Sequence, residues 1–309
     1  YGFLFFRKGS DILAVSLENC LVIGISSRAL FDLDDENHIY ETQGLKAYAK
    51  YQLAHEDEIL KPGSGFALVK ALLKLNELSD QRRVEVLIMS RNSADTSLRI
   101  FSSLQHYGLD ITRAVLSGGA PLTNYLEAFG VDLFLSANEE DVVDALQAGF
   151  AAGRIYTNTI EGYDPFEEID QIRIAFDGDA VLFSDASEQI YQSEGLEAFT
   201  KHEQEAALKL LPEGPFAAFL KTISSLQEEF KGQAPIRTAL VTARNAPAHE
   251  RVIRTLRAWN VRIDEAIFLG GIAKTNVLKA FAPHIFFDDQ STHTTPASNV
   301  VPSAQVIYK

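Results

Sequence analysis

Short runs of apolar residues alternate along this chain with longer stretches in which apolar residues recur at helical spacing. The short runs are typical of buried β-strands and the longer stretches of amphipathic helices. In the second half of the chain, the predicted strands are Ile172–Phe176, Ile236–Val241, Ala266–Leu269, Ile285–Phe287 and Val306–Tyr308. The predicted helices are Gly195–Lys201, Phe216–Phe230, Ala248–Trp259 and Lys274–Phe281. This alternation predicts an α/β fold, in which helices cover both faces of a parallel sheet.

The same order of segments is written twice. IYETQGL from Ile39 reappears as IYQSEGL from Ile190, 151 positions later (190 − 39). AVLSGGAPLTNYLEAF likewise reappears as AIFLGGIAKTNVLKAF, 152 positions later (266 − 114). We infer an internal duplication with a unit of roughly 150 residues, the size of a domain. The segment 158–171 contains Gly, Pro and several acids and is the predicted boundary, with a first domain of residues 1–165 and a second of 166–309.

Charge, cysteine content and hydropathy limit the partners and the cellular location that are expected for this chain. The 309 residues include 42 Asp and Glu against 28 Lys and Arg, a formal net charge of −14. Such a surface repels nucleic acid and anionic membranes, so neither is expected as a partner. Cys20 is the only cysteine, which excludes an internal disulfide and fits a reducing, cytoplasmic location. No apolar run approaches the roughly 20 residues that span a bilayer, and the start, YGFLFFRKGSD, lacks the cleavage site of a signal peptide.

Candidate chemistry follows the strand Ile172–Phe176 directly, in the sequence DGD. Asp177 and Asp179 stand one glycine apart at the predicted carboxyl end of this strand, which is where open α/β sheets bind ligands. Two acids near a sheet core are costly unless a metal ion or hydrogen bonds compensate their charge. The pair therefore predicts a carboxylate site, and a plain Asp–Gly turn is the structural alternative.

Four further polar residues of the second half stand just beyond predicted strand ends: Thr242, Lys274, Asp288 and Asp289. Because the carboxyl ends of parallel strands share one edge of a sheet, these groups are predicted to converge with the DGD pair. At the positions that correspond to the six residues, the first half has Ser26, Arg28, Met89, Leu122, Ser136 and Ala137. A related fold that does without the six indicates that they serve chemistry. The structural alternatives are a strand-end cap at Thr242, a solvated Lys274 and a helix cap at 288–289.

The order DxD, then Thr, then Lys, then DD resembles the four motifs of the haloacid dehalogenase superfamily of phosphotransferases. More closely, the stretches SSRALF, YQLAHEDE, FDGDAVLFSD, LVTARNA and HIFFDDQ resemble the cytosolic 5′-nucleotidase I family over nearly the full length of the chain. The resemblance implies two tandem Rossmann-like, haloacid dehalogenase-like units, of which only the second carries catalytic motifs. It also implies an Mg²⁺-dependent hydrolase that converts nucleoside 5′-monophosphates such as AMP to nucleoside and phosphate.

By this resemblance, Asp177 is the nucleophile that forms an aspartyl-phosphate, and Asp179 is the general acid and then the base. Asp179 is expected to lie among neighbouring carboxylates, which would favour a protonated side chain. The implied Mg²⁺ ligands are Asp177, the main-chain carbonyl of Asp179, and Asp288. Asp289 is expected to act on the metal through a water or to orient the other ligands.

Two other residues are expected to bind the phosphoryl group. Thr242 would donate a hydrogen bond to its oxygens, and Lys274 would supply a positive charge. Arg28, Arg91 and Arg244 also stand near predicted strand ends, where plain salt bridges are the favoured interpretation.

Two alternative functions stay open. A phosphatase of another small phosphometabolite would use the same motifs. A non-catalytic nucleotide-binding sensor would keep the site of the second half for ligand capture alone.

Overall fold

Residues 16–233 and 235–307 are described by a computed structural model of the chain. The strands are β1 (Leu21–Ile25), β2 (Val84–Ser90), β3 (Arg113–Leu116), β4 (Leu133–Ser136), β5 (Ala152–Ile155), β6 (Ile172–Phe176), β7 (Ile236–Thr242), β8 (Glu265–Phe268), β9 (Ile285–Asp288) and β10 (Ser303–Gln305). The helices are α1 (Ser27–Leu30), α2 (Asp34–Gln43), α3 (Leu45–Ala54), α4 (Phe66–Lys74), α5 (Leu98–His106), α6 (Thr123–Phe129), α7 (Glu139–Gln147), α8 (Ala186–Glu205), α9 (Ala217–Glu229), α10 (His249–Ala258), α11 (Lys274–Phe281) and α12 (Ser291–Ala297).

All ten strands belong to one sheet, in the order β3-β2-β1-β4-β5-β10-β9-β6-β7-β8. Neighbouring strands run parallel except at the centre, where β5 and β10 pair antiparallel. The predicted α/β fold is confirmed, and the prediction of parallel strands holds everywhere but at this central pair. Because the direction changes there, the strands on either side run in opposite senses.

Strand register on one side of the β5–β10 pair recurs on the other, 151 or 152 positions along the chain. Leu21 aligns with Val84 as Ile172 does with Ile236, and Ile23 aligns with Leu133 as Ile174 does with Ile285. At the outer strands, Leu87 aligns with Arg113 as Ala239 does with Glu265. The helical segments after β1 and β6 also break in the same way, at Gly44 (φ 80°, ψ 178°) and Gly195 (φ 84°, ψ −177°). A positive φ of this size favours glycine at both breaks.

An ion pair joins the second strand of each set to its outer neighbour, with the charges exchanged. On β2 and β3, Glu85 accepts from Arg113 at 2.6 Å. On β7 and β8, Arg237 donates to Glu265 at 2.8 Å. In both pairs, the residue on the inner strand stands two positions before the residue that aligns with its partner.

The core explains why the strands are apolar throughout. Every residue of β1 and β2 is buried, as expected for strands with helices on both faces. One apolar cluster contains residues from both strand sets, including Ile25, Phe31, Phe176 and Phe287. The rings of Phe176 and Phe287 stack at 5.7 Å between centroids. None of the described helices is long and apolar enough to cross a membrane.

Most of the predicted elements of the second half are confirmed, and Ile172–Phe176 and Lys274–Phe281 are correct at both ends. The predicted helix Gly195–Lys201 is the latter part of the longer α8. The predicted last strand, Val306–Tyr308, is wrong: the strand is Ser303–Gln305, and Tyr308 lies outside the described residues. The small residues of β10 fit between β5 and β9, where packing outweighs the higher strand propensity of the residues that follow. The residues of the YGFLFFRKGSD segment also lie outside the described part of the chain.

Candidate active site

The DGD motif lies at the carboxyl end of β6, where the chain enters a tight turn. The N–H of Asp177 donates to the carbonyl of Phe287 at 2.8 Å, which fixes the backbone of Asp177 beside β9. The turn closes when the N–H of Phe183 donates to the carbonyl of Gly178 at 2.9 Å. Ala180 has a positive φ of 59°, which lets the chain reverse within this short distance. Both aspartate side chains are thereby held near the sheet edge and are largely buried.

Lys274 joins the motif to the end of β9. Its Nζ donates to Oδ1 of Asp177 at 2.5 Å and to Oδ2 of Asp288 at 2.6 Å. The lysine is the first residue of α11, and its side chain is only 3 % exposed. A buried ammonium group between two carboxylates keeps its charge because they compensate the loss of solvent. Burial alone would lower the pKa of Lys274, but Asp177 and Asp288 raise it above its usual value.

Three of the predicted metal ligands converge. One carboxylate oxygen each from Asp177, Asp288 and Asp289 lies within 4.8 Å of the other two. Within residues 16–233 and 235–307 no second group of three acidic, histidine or cysteine side chains is arranged in this way. Three carboxylates with no nitrogen or sulfur donor among them suit a hard cation such as Mg²⁺ or Ca²⁺.

Crowding changes the protonation of this trio when no cation is present. Burial raises the pKa of Asp177 to about 7, and the nearby Asp288 adds to the effect against the opposing Lys274. Burial, Asp177 and Asp288 together raise the pKa of Asp289 to about 8. Burial acts in the same direction on Asp288, but Lys274 and His293 outweigh it and hold its pKa below the usual value. The site therefore has an excess of negative charge that a divalent cation would relieve.

Thr242 ends β7 and is buried beside the DGD turn. Its Oγ1 accepts from the backbone N–H of Arg244 at 3.3 Å. A Cβ added at Gly178 would lie 3.4 Å from this hydroxyl, so the threonine faces the short backbone between the two aspartates. The structure thus brings Thr242 to the edge where the sequence predicts it.

Asp179 has a direct partner that was not predicted from the sequence. Its two oxygens accept from Nε and Nη2 of Arg244, at 2.7 and 2.6 Å. Its carboxylate does not belong to the acidic trio of the described residues. The direct partner of Asp179 is therefore a buried guanidinium group, while Asp177 is near enough that, besides burial, the charge of Asp179 raises the pKa of Asp177. The salt bridges predicted for Arg28, Arg91 and Arg244 are confirmed: their partners are Asp34, Asp141 and Asp179.

Sequence reasoning missed two residues that touch this site. Nδ1 of His293 lies 3.2 Å from Oδ2 of Asp288. Glu203 of α8 bonds to Arg244 and is fully buried. The histidines of the chain have no metal-ligand spacing, and Glu203 stands in a helix rather than at a strand end. The one signal that could have identified Glu203 is its position on the apolar face of a helix, where acids are rarely buried without a partner.

The corresponding edge of β1 to β4 has a cavity of about 500 Å³ in place of an acidic trio. Its lining includes Arg28, Tyr40, Tyr48 and Asn92. Arg28 stands where the second half has Asp179.

The fold and the site define an α/β protein with an acidic edge, where three carboxylates cluster at the carboxyl ends of parallel strands. The chain belongs to the 5′-nucleotidase family, whose model matches residues 13–309. It is similar to human cytosolic 5′-nucleotidase 1B, with 40% identity over 296 residues, which cover 92% of this chain and 48% of that protein. The chain therefore spans about half the length of the curated relative. These comparisons confirm the family to which the sequence motifs point.

Proposed function

We propose that this chain is an Mg²⁺-dependent 5′-nucleotidase that hydrolyses nucleoside 5′-monophosphates such as AMP to nucleoside and phosphate. The observation that carries the proposal is the buried trio Asp177, Asp288 and Asp289 with Lys274, at the sheet edge of a chain in the 5′-nucleotidase family. The human relative is named a cytosolic 5′-nucleotidase. We propose a cytoplasmic location for this chain as well, which its single cysteine supports.

The acidic trio is the proposed holder of Mg²⁺, together with the main-chain carbonyl of Asp179. When bound, the cation would neutralise charge on the nucleophile and on a phosphoryl oxygen. The fit rests on the trio's oxygen donors and on the raised pKa values of Asp177 and Asp289, which mark uncompensated negative charge. Against the effect of burial, Lys274 and His293 lower the pKa of Asp288, so this carboxylate is ionised before a cation binds and is the proposed first ligand.

The reaction is proposed to proceed in two displacements. In the first, an oxygen of Asp177 bonds to phosphorus while the bond from phosphorus to the nucleoside 5′-oxygen breaks, and Asp179 gives its proton to that oxygen. In the second, Asp179 takes a proton from water, whose oxygen bonds to phosphorus while the bond between phosphorus and the Asp177 oxygen breaks. Phosphate leaves, and the Asp177 carboxylate is restored.

Thr242 and Lys274 are proposed to hold the phosphoryl group between these steps. The buried hydroxyl beside Gly178 can donate to a phosphoryl oxygen. Lys274 contacts both Asp177 and Asp288, so its charge lies where the transferring group must pass. Groups fixed in this way lose little reorganisation energy when charge develops in the transition state.

We propose further that the two halves, residues 1–165 and 166–309, are products of one duplication, with two Rossmann-like, haloacid dehalogenase-like units. The repeated strand registers, the two glycine breaks and the exchanged ion pairs support this. Only the second unit has the six candidate catalytic residues.

The test is phosphate release from a panel of 5′-monophosphates and sugar phosphates, with and without Mg²⁺. The variant Asp177→Asn should lose at least about a thousandfold in rate while its unfolding midpoint stays near that of the parent. Equal rates with sugar phosphates would favour the phosphatase of another phosphometabolite. Nucleotide binding without any phosphate release would favour the sensor.

A further inference from the structure

A buried network of alternating charges extends from Asp179 into the helices. Arg244 holds both oxygens of Asp179 and also donates through Nη1 to Glu203. Glu203 accepts in addition from Nη1 of Arg251 at 2.8 Å and from the hydroxyl of Ser187 at 2.9 Å. The side chains of Arg244 and Glu203 are 2 % and 0 % exposed. Two acids and two arginines balance, which is the condition under which buried charges are tolerated.

The network joins Asp179 to three separate parts of the fold. Arg244 follows β7, Glu203 lies near the end of α8, and Arg251 lies in α10. The ring of Phe199, also on α8, packs 5.3 Å from the guanidinium carbon of Arg244. Packing and charge together restrict the Arg244 side chain. Because a guanidinium fork and a carboxylate share a plane, the plane of Asp179 is fixed as well.

The first half has arginines at the corresponding positions but lacks both acids of this network, since Arg28 and Gln52 stand where the second half has Asp179 and Glu203. Arg91, the counterpart of Arg244, turns to Asp141 at 2.5 Å. Gln52 occupies the position of Glu203, and the buried pair there is Arg99 with Glu36. The first half therefore folds without an acid at the Glu203 position that binds the strand-end arginine and without a turn acid that this arginine could hold. Among residues 16–233 and 235–307, the link from helix acid through strand-end arginine to turn acid occurs only in the half that contains the acidic trio.

We propose that Arg244 and Glu203 are positioning residues for Asp179: Arg244 fixes the carboxyl group so that it meets the oxygen of the leaving group, and Glu203 fixes Arg244. The inference rests on the proposed function, in which Asp179 donates the proton. The guanidinium group of Arg244 uses one lone pair of each carboxyl oxygen of Asp179, so a second lone pair on each oxygen stays available for that proton. General acids act only within hydrogen-bond reach of the group they protonate.

The test compares two substrates that differ in one atom. Adenosine 5′-monophosphate has an alkoxide leaving group, which needs a proton. In the 5′-S-phosphorothiolate of 5′-thioadenosine the bridging oxygen is replaced by sulfur, and the thiolate leaves without a proton. The value of kcat/KM reports the first displacement, in which the leaving group departs. It is measured with Mg²⁺ for both substrates in Arg244→Lys, which keeps the charge but loses the fork, and in Glu203→Gln, which keeps the shape.

We expect kcat/KM for the oxygen substrate to fall at least about tenfold in both variants, since acid–base catalysis contributes roughly 10²–10⁴. For the sulfur substrate we expect a change below twofold. Arg91→Lys, the matched change in the first half, should alter neither value. Added Mg²⁺ is expected to raise the unfolding midpoint of the parent and of each variant equally, because the acidic trio is intact in all of them.

An equal loss with both substrates, or no loss with the oxygen substrate, would overturn the proposal. A loss of the Mg²⁺-induced shift would also overturn it, because the network would then support the metal site and not the acid alone. If the parent chain releases phosphate from neither substrate, the proposed function itself fails, and the inference fails with it.

Discussion

Asp177 and Asp289 show how strongly burial acts on single side chains at this edge. With no cation bound, their pKa values are about 7 and about 8, so both carry protons in part near neutral pH. A metal ion binds the ionised form, and the protons must leave first. Affinity for Mg²⁺ should therefore rise as pH increases from about 6 to 9, and binding should release protons in the lower part of this range.

Calorimetric titration in buffers of different ionisation enthalpy measures both quantities. Asp289→Asn should weaken the affinity and reduce the number of protons released. Asp179→Asn should change the affinity little, because that carboxylate lies on Arg244 and outside the trio. An affinity for Mg²⁺ that is the same at pH 6 and pH 9 would contradict this assignment of protons.

Which contacts the sequence could predict depended on whether the strand ends alone, or also the side-chain conformations, bring the partners together. Asp177, Thr242, Lys274 and Asp288 could be brought together because parallel strands end at one edge, a rule that needs only the strand positions. The pairing of Asp179 with Arg244 depends instead on the rotamers of both side chains. No pattern in the sequence encodes such a contact.

At the scale of elements, the turn after β6 packs tightly against the start of α9. A Cβ added at Gly214 would lie 2.3 Å from the carbonyl oxygen of Phe183 and 2.6 Å from that of Val181. Gly214→Ala should therefore force the DGD turn to move and destabilise the fold by roughly 1–3 kcal/mol. Urea unfolding measures the loss.

Gly232→Ala is the matched control, because a Cβ there meets nothing within 4 Å. It should change the free energy of unfolding by less than about 0.5 kcal/mol. Equal stability of the Gly214 and Gly232 variants would show that the turn can yield without cost.

The contact between β6 and the loop before β9 predicts sensitivity to acid. Nδ1 of His284 accepts from the backbone N–H of Arg173 at 2.8 Å. Burial and the charge of Arg173 lower the pKa of His284 to about 4. A lowered pKa in the folded state favours the neutral ring, so its contribution to stability is present above about pH 6.5 and is lost as pH falls towards 4.

His284→Asn keeps an acceptor near the position of Nδ1 but cannot be protonated in this range. The free energy of unfolding should fall less between pH 7 and pH 5 in this variant than in the parent. His106→Asn, at an exposed position, should leave the parent's pH dependence unchanged. An identical acid sensitivity in all three proteins would exclude His284 as a cause.

Element boundaries also show where sequence patterns stop being informative. Lys274–Phe281 was predictable to the residue because its apolar positions recur at helical spacing and the sheet edge fixes where it starts. β10 was misplaced because SAQ has little strand propensity of its own and is held by its two neighbours. α12 went unpredicted because it contains Pro296 and few apolar residues.

At the scale of the whole molecule, the sheet and one apolar cluster run through both halves. Unfolding should therefore be a single transition, in which circular dichroism and Mg²⁺-dependent phosphate release are lost together. Two separated transitions would show that the halves are independent.

The central strand pair offers a direct probe of this coupling. A Cβ at Gly153 of β5 would lie 2.9 Å from Cβ of Ala304 on β10 and 3.1 Å from the ring of Phe287. Gly153→Val should separate the strands and lower the midpoint of the whole transition, still as one step. If only part of the ellipticity shifted, the coupling would not pass through β5 and β10.

The exchanged signs of the pairs Glu85–Arg113 and Arg237–Glu265 bear on how a nascent chain avoids error. Two similar halves on one polypeptide invite misassembly, in which a strand docks beside the partner of its twin. Were β2 to dock against β8, Glu85 would meet Glu265, and β7 against β3 would oppose Arg237 to Arg113. Like charges facing each other across strands repel. We therefore expect the exchanged charges to favour the native strand pairs over the crossed ones during folding.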